Sequence, residues 1–219
     1  MPRMARIVVP GYPHHVTQRG NRGQRTFFET ADYLTYLDLL NELKGKAGVD
    51  IWAYCLMPNH VHLIVVPKRP SSLAKLFGPA HHRYARRFNI ARDWVGHLWQ
   101  ERFHSFVMDE QHLLAAVRYV ELNPVRAGLC AHPDDWRWSS APAHLHDAPD
   151  SLVIVPAMRE RISNWRSFLS DDLRPEMLES LRVHTRTGRP AGSRKFIEEL
   201  EALTGRRLRR SKPGPAPRR

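Results

Sequence analysis

The chain has 219 residues, of which 42% are hydrophobic and 26% charged, a composition that excludes a wholly disordered protein and allows a folded core with an appendage. Its 34 Lys and Arg residues exceed its 22 Asp and Glu residues, and the net charge of +12 predicts a polyanionic partner. No apolar run is long enough to span a membrane or to form a signal peptide, so we expect a cytoplasmic protein with no membrane partner.

Hydropathy patterns in the first part of the chain predict four strands and three helices. Alternation over residues 14–19 predicts the first strand, and helical spacing over 31–47 predicts the first helix. Two further strands, at 51–57 and 60–66, flank a Pro-Asn turn signal and therefore form a hairpin. The remaining predicted elements are a helix from Ser71 or Ser72 to residue 88, a strand over 103–108, and a helix that begins at Asp109 and stops before Pro124.

The predicted order β-α-β-β-α-β with one added helix is that of the ferredoxin-like split βαβ arrangement. We therefore expect an α+β fold in which a four-stranded antiparallel sheet is covered by helices on one face. Beyond residue 150 the pattern changes to helical segments separated by prolines. We place a domain boundary there, with a core domain over 1–150 and a helical C-terminal extension over 151–219 that ends in a basic, flexible tail.

The positive charge is concentrated near the end of the chain. Residues 182–219 hold twelve Lys and Arg against three Glu, and so contribute +9 of the total +12. A tail of this kind neutralises phosphates, although a solubility tail has the same composition. Ten arginines are candidates for phosphate contacts: Arg19, Arg22, Arg83, Arg86, Arg87, Arg102, Arg206, Arg207, Arg209 and Arg210. Surface arginines without a ligand are the alternative interpretation.

The segment from Pro58 to Leu63 contains a His-x-His pair in a predicted strand. Because strand side chains alternate, His60 and His62 project from one face while Val61 enters the core on the other. Two neutral imidazoles suit a divalent metal and leave positions for a further ligand, water and substrate oxygens. Two half-exposed strand histidines without a metal are the alternative.

A second group lies on the third predicted helix. Tyr119 and Asn123 are separated by four positions, so on a continuous helix their side chains share one face. One side chain can then be a nucleophile and the other a metal ligand. Tyrosine has a reference pKa of about 10 and needs a target phosphate that a cation polarises. The alternative is a core tyrosine followed by an asparagine that marks the helix end before Pro124.

Taken together, these segments resemble the HUH single-tyrosine transposases of bacterial insertion sequences, and within them the REP-associated tyrosine transposases. The resemblance rests on residues 57–63, 96–103 and 119–128, and it continues through 136–140 and 187–190. The motifs occur in the order found in that family and span most of the chain.

The resemblance implies a metal-dependent endonuclease and strand transferase that acts on single-stranded DNA hairpins or palindromic repeats, in DNA transposition or REP-element processing. Carried over by position, Tyr119 is the nucleophile that forms a 5′-phosphotyrosine, and His60, His62 and Asn123 hold Mg²⁺ or Mn²⁺. Many relatives have glutamine where this chain has Asn123, so direct ligation by the shorter amide stays open. The reaction consumes no ATP, the enzyme is a monomer or homodimer, and we expect it to associate with the nucleoid.

Two other functions remain open at this stage. One is a non-catalytic protein that binds nucleic-acid hairpins, although binding alone requires neither the histidine pair nor the tyrosine. The other is a replication initiator or relaxase with the same type of site. Most of the other histidines are expected at the surface or facing DNA rather than as ligands, namely His14, His15, His81, His82, His97 and His104.

Overall fold

A computed structural model describes residues 5–171 and 173–209, and contains four strands and nine α-helices within those ranges. In chain order these are β1 His14–Arg19, α1 Thr30–Ala47, β2 Val49–Met57, β3 His60–Pro67, α2 Ser72–Arg92, β4 His104–Val107, α3 Glu110–Glu121, α4 Asn123–Arg126, α5 Ala141–His146, α6 Val155–Arg159, α7 Trp165–Ser170, α8 Pro175–Thr187 and α9 Arg194–Thr204. Within these residues, no helix combines the length and the hydrophobicity that a membrane span requires.

The four strands form one antiparallel sheet in the order β2-β3-β1-β4. This is the order of a split βαβ fold, so the predicted α+β class and the predicted strands are confirmed. In the register between β1 and β3, Thr17 lies opposite His62 and Arg19 lies opposite His60. The two central strands therefore bring the predicted histidine pair next to the end of β1.

Side-chain alternation along the strands separates two hydrophobic cores. Val61 and Leu63 point toward α1 and α2, whereas Cys55 and Ile64 point toward α3. The prediction of helices on one face thus holds for α1 and α2, the helices of the βαββαβ unit. The added helix α3 packs on the opposite face, because its own apolar stripe of Leu113, Val117 and Val120 needs a second surface to cover.

Helix α3 begins as the sequence predicts and is followed, after Leu122, by the short helix α4. The Asp109 side chain accepts a hydrogen bond from the His112 backbone N–H and caps the first turn. The helix ends at Glu121, and a new short helix begins at Asn123. Pro124 has no N–H to continue the α3 hydrogen-bond ladder, which explains the interruption. Leu122, between the two helices, keeps right-handed helical torsions (φ −84°, ψ 0°), and its N–H donates to Arg118 O at 3.0 Å. A shared face for Tyr119 and Asn123 therefore stays a prediction.

The C-terminal extension completes both cores. Leu152 and Val153 are buried against α1 and α2, and Trp165 and Leu181 are buried on the side of α3. The domain boundary near residue 150 stays a prediction.

Residues 206–209 are docked, so the basic tail cannot begin at Arg206 as expected. Leu208 is buried in a third apolar cluster with Ile7 and Phe196. Arg206 donates to the backbone oxygens of residues 5 and 6, at 2.7 and 3.1 Å. The physical reason is that Leu208 interrupts the run of arginines with an apolar side chain that the sheet edge can bury. Residues 210–219 lie outside the described part of the chain.

Candidate active site

A pocket of about 240 Å³ brings together the chemically important residues of β1, β3 and α3. Its wall includes Arg19 at the end of β1, His60 and His62 on β3, and Tyr119 on α3. Four further wall residues are Gln100, Glu101, His104 and Thr185. The sheet register and the packing of α3 on the sheet therefore place Tyr119 beside the histidine pair.

His60 and His62 share the α3 side of the sheet, and their ring centroids are 4.9 Å apart. The Nδ1 atom of His60 is 2.6 Å from Asn59 Oδ1, while Asn59 Nδ2 donates to Gly23 O at 3.0 Å. Because the second bond fixes the orientation of the Asn59 amide, the Nδ1 atom of His60 is the donor. The Nε2 atom of neutral His60 then carries a free lone pair.

His62 is buried, and His15 sets its orientation. The two rings are stacked at a centroid distance of 5.1 Å, and His15 Nε2 lies 2.9 Å from His62 Nδ1. His62 Nε2 is buried with no hydrogen-bond partner. In the tautomer in which His62 Nδ1 donates to His15, this Nε2 atom is an unpaired acceptor, which is the state that a metal ligand needs.

Both histidines of the pair are held in their neutral form. Burial and the nearby positive charge of Arg19 together lower the pKa of His60 to about 4. Burial and the neighbouring His60 imidazole hold the pKa of His62 well below its usual value. At neutral pH both side chains therefore present unprotonated nitrogen, since the charged imidazolium is disfavoured in a dry site.

The donor set fits a divalent cation that also takes oxygen ligands from substrate. His60 and His62 each offer one Nε2 atom, and the orphaned buried Nε2 of His62 is otherwise unexplained. Within residues 5–171 and 173–209, no group of three or more His, Cys, Asp and Glu side chains could hold a metal ion. Other oxygen donors, such as an amide, water or a phosphate, would fill the remaining positions of a cation at the pair.

His15 is a site residue that the sequence analysis assigned to the surface or to DNA. It is buried, as are His14 and His81, so the expectation is wrong for these three residues. Alternation along β1 places His15 on the opposite face from the core residue Val16, and β1 is the neighbour of β3 in the ferredoxin-like order. That combination of alternation and strand order is the signal that identifies His15 as a neighbour of His62.

Tyr119 is half-buried at the wall of the pocket. Its ring centroid is 5.5 Å from that of His62 and 6.3 Å from that of His15, with edge-on geometry in both cases. The exposed Arg126 guanidinium lies over the outer face of the ring, 4.1 Å from the centroid. Sequence reasoning missed Arg126, which lies seven positions after Tyr119 and therefore about two helical turns further along the same side.

Asn123 is not among the residues that line the pocket. It is buried in the first turn of α4, its backbone oxygen accepts from Ala127 N–H, and its Nδ2 atom has no partner among the described residues. Leu122, which separates Asn123 from α3, has right-handed helical torsions. A role for Asn123 beside Tyr119 and the two histidines stays a prediction.

A buried polar network anchors the end of α3 close to Tyr119. Both Glu121 and His144 are fully buried. Glu121 Oε1 accepts from Ser140 Oγ and from His144 Nδ1, each at 2.6 Å, and Oε2 accepts from Trp165 Nε1 at 2.8 Å. Because these donors come from α5, α7 and the segment before α5, the network ties the tyrosine helix to the C-terminal part of the chain.

The family follows from a comparison with known sequences. Residues 10–123, which are more than half of the chain, match the model of the family described as IS200-like transposase. The chain belongs to the IS200-like transposases. The match includes the histidine pair and Tyr119, and it ends at Asn123.

Two relatives of this transposase are informative. A Haemophilus influenzae protein with the provisional description of a REP-associated tyrosine transposase is 28% identical over 129 residues, which are 51% of this chain and 72% of the relative. The solved structure of a REP-associated tyrosine transposase bound to a REP hairpin has a TM-score of 0.54 and 20% identity, and the match covers 69% of this chain and 90% of that one. The structural match confirms the fold.

Four of the predicted arginines lie in or near the catalytic pocket of the transposase. Arg19 lines the pocket, and Arg22 is exposed in the turn that follows β1. Arg86 and Arg102 line a larger groove of about 690 Å³. The groove and the pocket share residues 100 and 101, so they form one continuous concave surface.

The other predicted arginines have different surroundings. Arg83 forms a bidentate ion pair with Glu42, both contacts at 2.8 Å, and thereby links α2 to α1. Arg209 pairs with Glu201 at 2.8 Å, and Arg206 is held by backbone oxygens near the N-terminus. Arg87 and Arg207 are exposed, and Arg210 lies outside the described residues. Arg83, Arg206 and Arg209 therefore each have a protein partner, and their phosphate contacts stay a prediction.

Proposed function

We propose that this transposase is a metal-dependent endonuclease and strand transferase for single-stranded DNA, acting on hairpins formed by palindromic repeats in DNA transposition or REP-element processing. The observation that carries the proposal is the single pocket in which Tyr119 lies beside His60 and His62. Arg19 at its rim supplies positive charge for a phosphate.

In the proposed reaction, the Oη atom of Tyr119 attacks a DNA phosphorus. A bond forms between Oη and phosphorus as the bond between phosphorus and the 3′ oxygen breaks. The tyrosine proton is lost and the 3′ oxygen takes up a proton, so the products are a 5′-phosphotyrosine and a free 3′-OH. The reverse attack by a 3′-OH rejoins DNA and regenerates tyrosine. Since one ester replaces another, neither direction requires ATP.

The residues around Tyr119 have distinct proposed roles. When bound at His60 and His62, a Mg²⁺ or Mn²⁺ ion supplies positive charge to the non-bridging phosphate oxygens. His15 holds the ring of His62 in the tautomer that leaves Nε2 free. Arg126 covers the outer face of the Tyr119 ring and restrains its orientation. Asn123 is not part of the proposed donor set.

The proposed partner is hairpin DNA, and the proposed active unit is one chain. The solved structure of the REP-associated relative contains a REP hairpin, which supports a hairpin substrate for this chain. Tyr119 and both histidines come from the same chain here. We therefore propose that a monomer contains a complete site, whereas a homodimer that exchanges its tyrosine helices is the alternative.

An assay for a covalent adduct tests the proposal. Labelled single-stranded hairpins from palindromes near the gene are incubated with protein and Mn²⁺ or Mg²⁺, and the products are separated on a denaturing protein gel. We expect label on the wild-type protein only with metal, and none on Tyr119→Phe. Tyr12→Phe, which removes a hydroxyl outside the pocket, is the matched control. A label on Tyr119→Phe would exclude Tyr119 as the nucleophile, and tight hairpin binding without any adduct would favour a non-catalytic binding protein.

A further inference from the structure

A second, smaller pocket lies next to the catalytic pocket, at the place where β4 meets the end of α8. Its volume is about 70 Å³, and its wall includes Arg6, Arg102, Ser105, Arg186 and Thr187. His104 lines both pockets, so they are immediate neighbours. One wall comes from residues 186–188, which belong to the C-terminal extension and lie outside the segment that matches the transposase family.

The wall of this pocket is strongly basic. Three arginines reach it from three separate segments, and no Asp or Glu is among the described residues that line it. Arg6 is fixed in place, because its guanidinium lies 3.5 Å from the centroid of the Phe103 ring and donates to Phe103 O at 2.6 Å. Arg102 is exposed and also lines the larger groove. The positive charge is therefore directed at a single small volume beside the catalytic pocket.

Two features of the described residues oppose the binding of an anion in this pocket. Each is weaker than the positive charge of the arginines in its wall. Arg186 pairs with Glu179 at 3.2 Å, but both side chains are well exposed, and exposed ion pairs of this kind contribute little. The carbonyl end of α8, which closes at Gly188, carries a partial negative charge equivalent to about half an electron. Three guanidinium groups exceed this partial charge several-fold.

Ser105 provides an independent indication of a ligand. It is 5% exposed, it contributes to the pocket wall, and its Oγ has no hydrogen-bond partner among the described residues. Buried hydroxyls without a hydrogen-bond partner are rare because they cost free energy. A ligand with acceptor oxygens would supply a partner for this hydroxyl beside the three arginines. By contrast, the hydroxyl of Thr187 is already used, since it donates to Val183 O at 2.9 Å.

We propose that this pocket, formed by Arg6, Arg102, Ser105 and Arg186, is a subsite for a backbone phosphate of the DNA strand that flanks the cleavage position. The proposal rests on the proposed function, because it locates part of the same DNA strand. It gives the C-terminal extension a direct part in substrate binding through Arg186. A phosphate in this subsite accepts hydrogen bonds from guanidinium groups and from Ser105 Oγ, which supplies the missing acceptor.

Neutralising one phosphate at a time tests the subsite. Hairpins with a single-stranded flank are made with one uncharged methylphosphonate at each position in turn, and the Kd of each is measured by fluorescence anisotropy without catalytic metal. We expect one flanking position at which the methylphosphonate raises the Kd of wild type about 3- to 10-fold. The same methylphosphonate should change the Kd of Arg102→Ala or Arg186→Ala very little, because each variant already lacks the contact. The same variants should show a salt dependence that is shallower by about one phosphate contact.

Arg182→Ala is the matched control, because Arg182 is exposed on the same helix and lies near the same Glu179, at 3.9 Å. It should retain the wild-type profile of methylphosphonate effects. Ser105→Ala should weaken binding of the unmodified hairpin while leaving the free energy of unfolding unchanged or raised, since it removes an unpaired buried hydroxyl.

The results separate this proposal from the proposed function. If Arg102→Ala and Arg186→Ala keep the wild-type methylphosphonate profile and salt slope, the subsite proposal is wrong, whatever the adduct assay gives. If the position-specific effect is present but no adduct forms on Tyr119, the phosphate subsite stands and the catalytic proposal fails. A loss of affinity that is equal at every methylphosphonate position would also overturn the proposal, because it indicates general charge attraction.

Discussion

The buried network around Glu121 gives a quantitative prediction for Glu121→Ala. The substitution removes the acceptor of three buried donors, Ser140 Oγ, His144 Nδ1 and Trp165 Nε1. A buried donor left unpaired costs about 1–3 kcal/mol, so the removal of an acceptor shared by three buried donors costs about 3–5 kcal/mol after partial relaxation. We therefore expect the free energy of unfolding to fall by about 3–5 kcal/mol. For a chain of this size that corresponds to a decrease in Tm of roughly 10 °C.

Urea unfolding followed by circular dichroism measures this change in free energy. An unchanged m-value would show that wild type and variant expose the same surface on unfolding. Glu110→Ala on the same helix is the control, because the Glu110 carboxylate makes an exposed ion pair with Arg161 at 3.0 Å. It should cost less than about 1 kcal/mol. Glu121→Gln keeps the shape and one acceptor oxygen, so its effect should lie between the two. A Glu121→Ala protein that unfolds within 1 kcal/mol of wild type would refute the view that this network anchors the tyrosine helix.

Three further predictions concern His15, His81 and the end of the chain. His15→Phe keeps an aromatic ring in the buried position but removes the partner of His62 Nδ1, so Mn²⁺ affinity and cleavage should fall about 10- to 100-fold while hairpin Kd stays within twofold. Burial lowers the pKa of His81 to about 3, so between pH 6.5 and 3 the unfolded chain binds a proton that the native state does not. The free energy of unfolding therefore falls as the pH falls. Between pH 7.5 and 5.5, His81→Phe should lose about 1 kcal/mol less of this free energy than wild type. Leu208→Ala should lower the free energy of unfolding by about 2–3 kcal/mol, because it removes buried apolar atoms. Deletion of residues 210–219 removes four basic side chains and should make the salt dependence of DNA affinity shallower.

Each of these predictions has a clear contrary result. His15→Phe would argue against the tautomer role if it weakened hairpin binding as much as cleavage, and the exposed His97→Ala serves as its control. An identical change of stability with pH in wild type and His81→Phe would show that His81 takes up its proton in the folded state. An unchanged salt slope after deletion of residues 210–219 would make those charges irrelevant to DNA affinity.

The local pattern of the sequence determined most of the elements and the position of the histidine pair. Alternation over 14–19 and 60–66 predicts β1 and β3, and the same alternation places His60 and His62 on one face with Val61 on the other. Asp109 predicts the start of α3, where its side chain caps the first turn. These features depend on residues within a few positions of each other, so they can be read from the chain directly.

Only the tertiary structure decided which residues meet at the pocket. His15 reaches His62 because β1 and β3 are neighbours in the sheet although 47 positions separate the two residues. Glu121 is anchored by donors from as far along the chain as Trp165. Likewise, Leu208 docks residues 206–209 that the local composition describes as a free tail. Such contacts form between segments distant in sequence, and their free energy comes from burial and buried hydrogen bonds that local periodicity does not record.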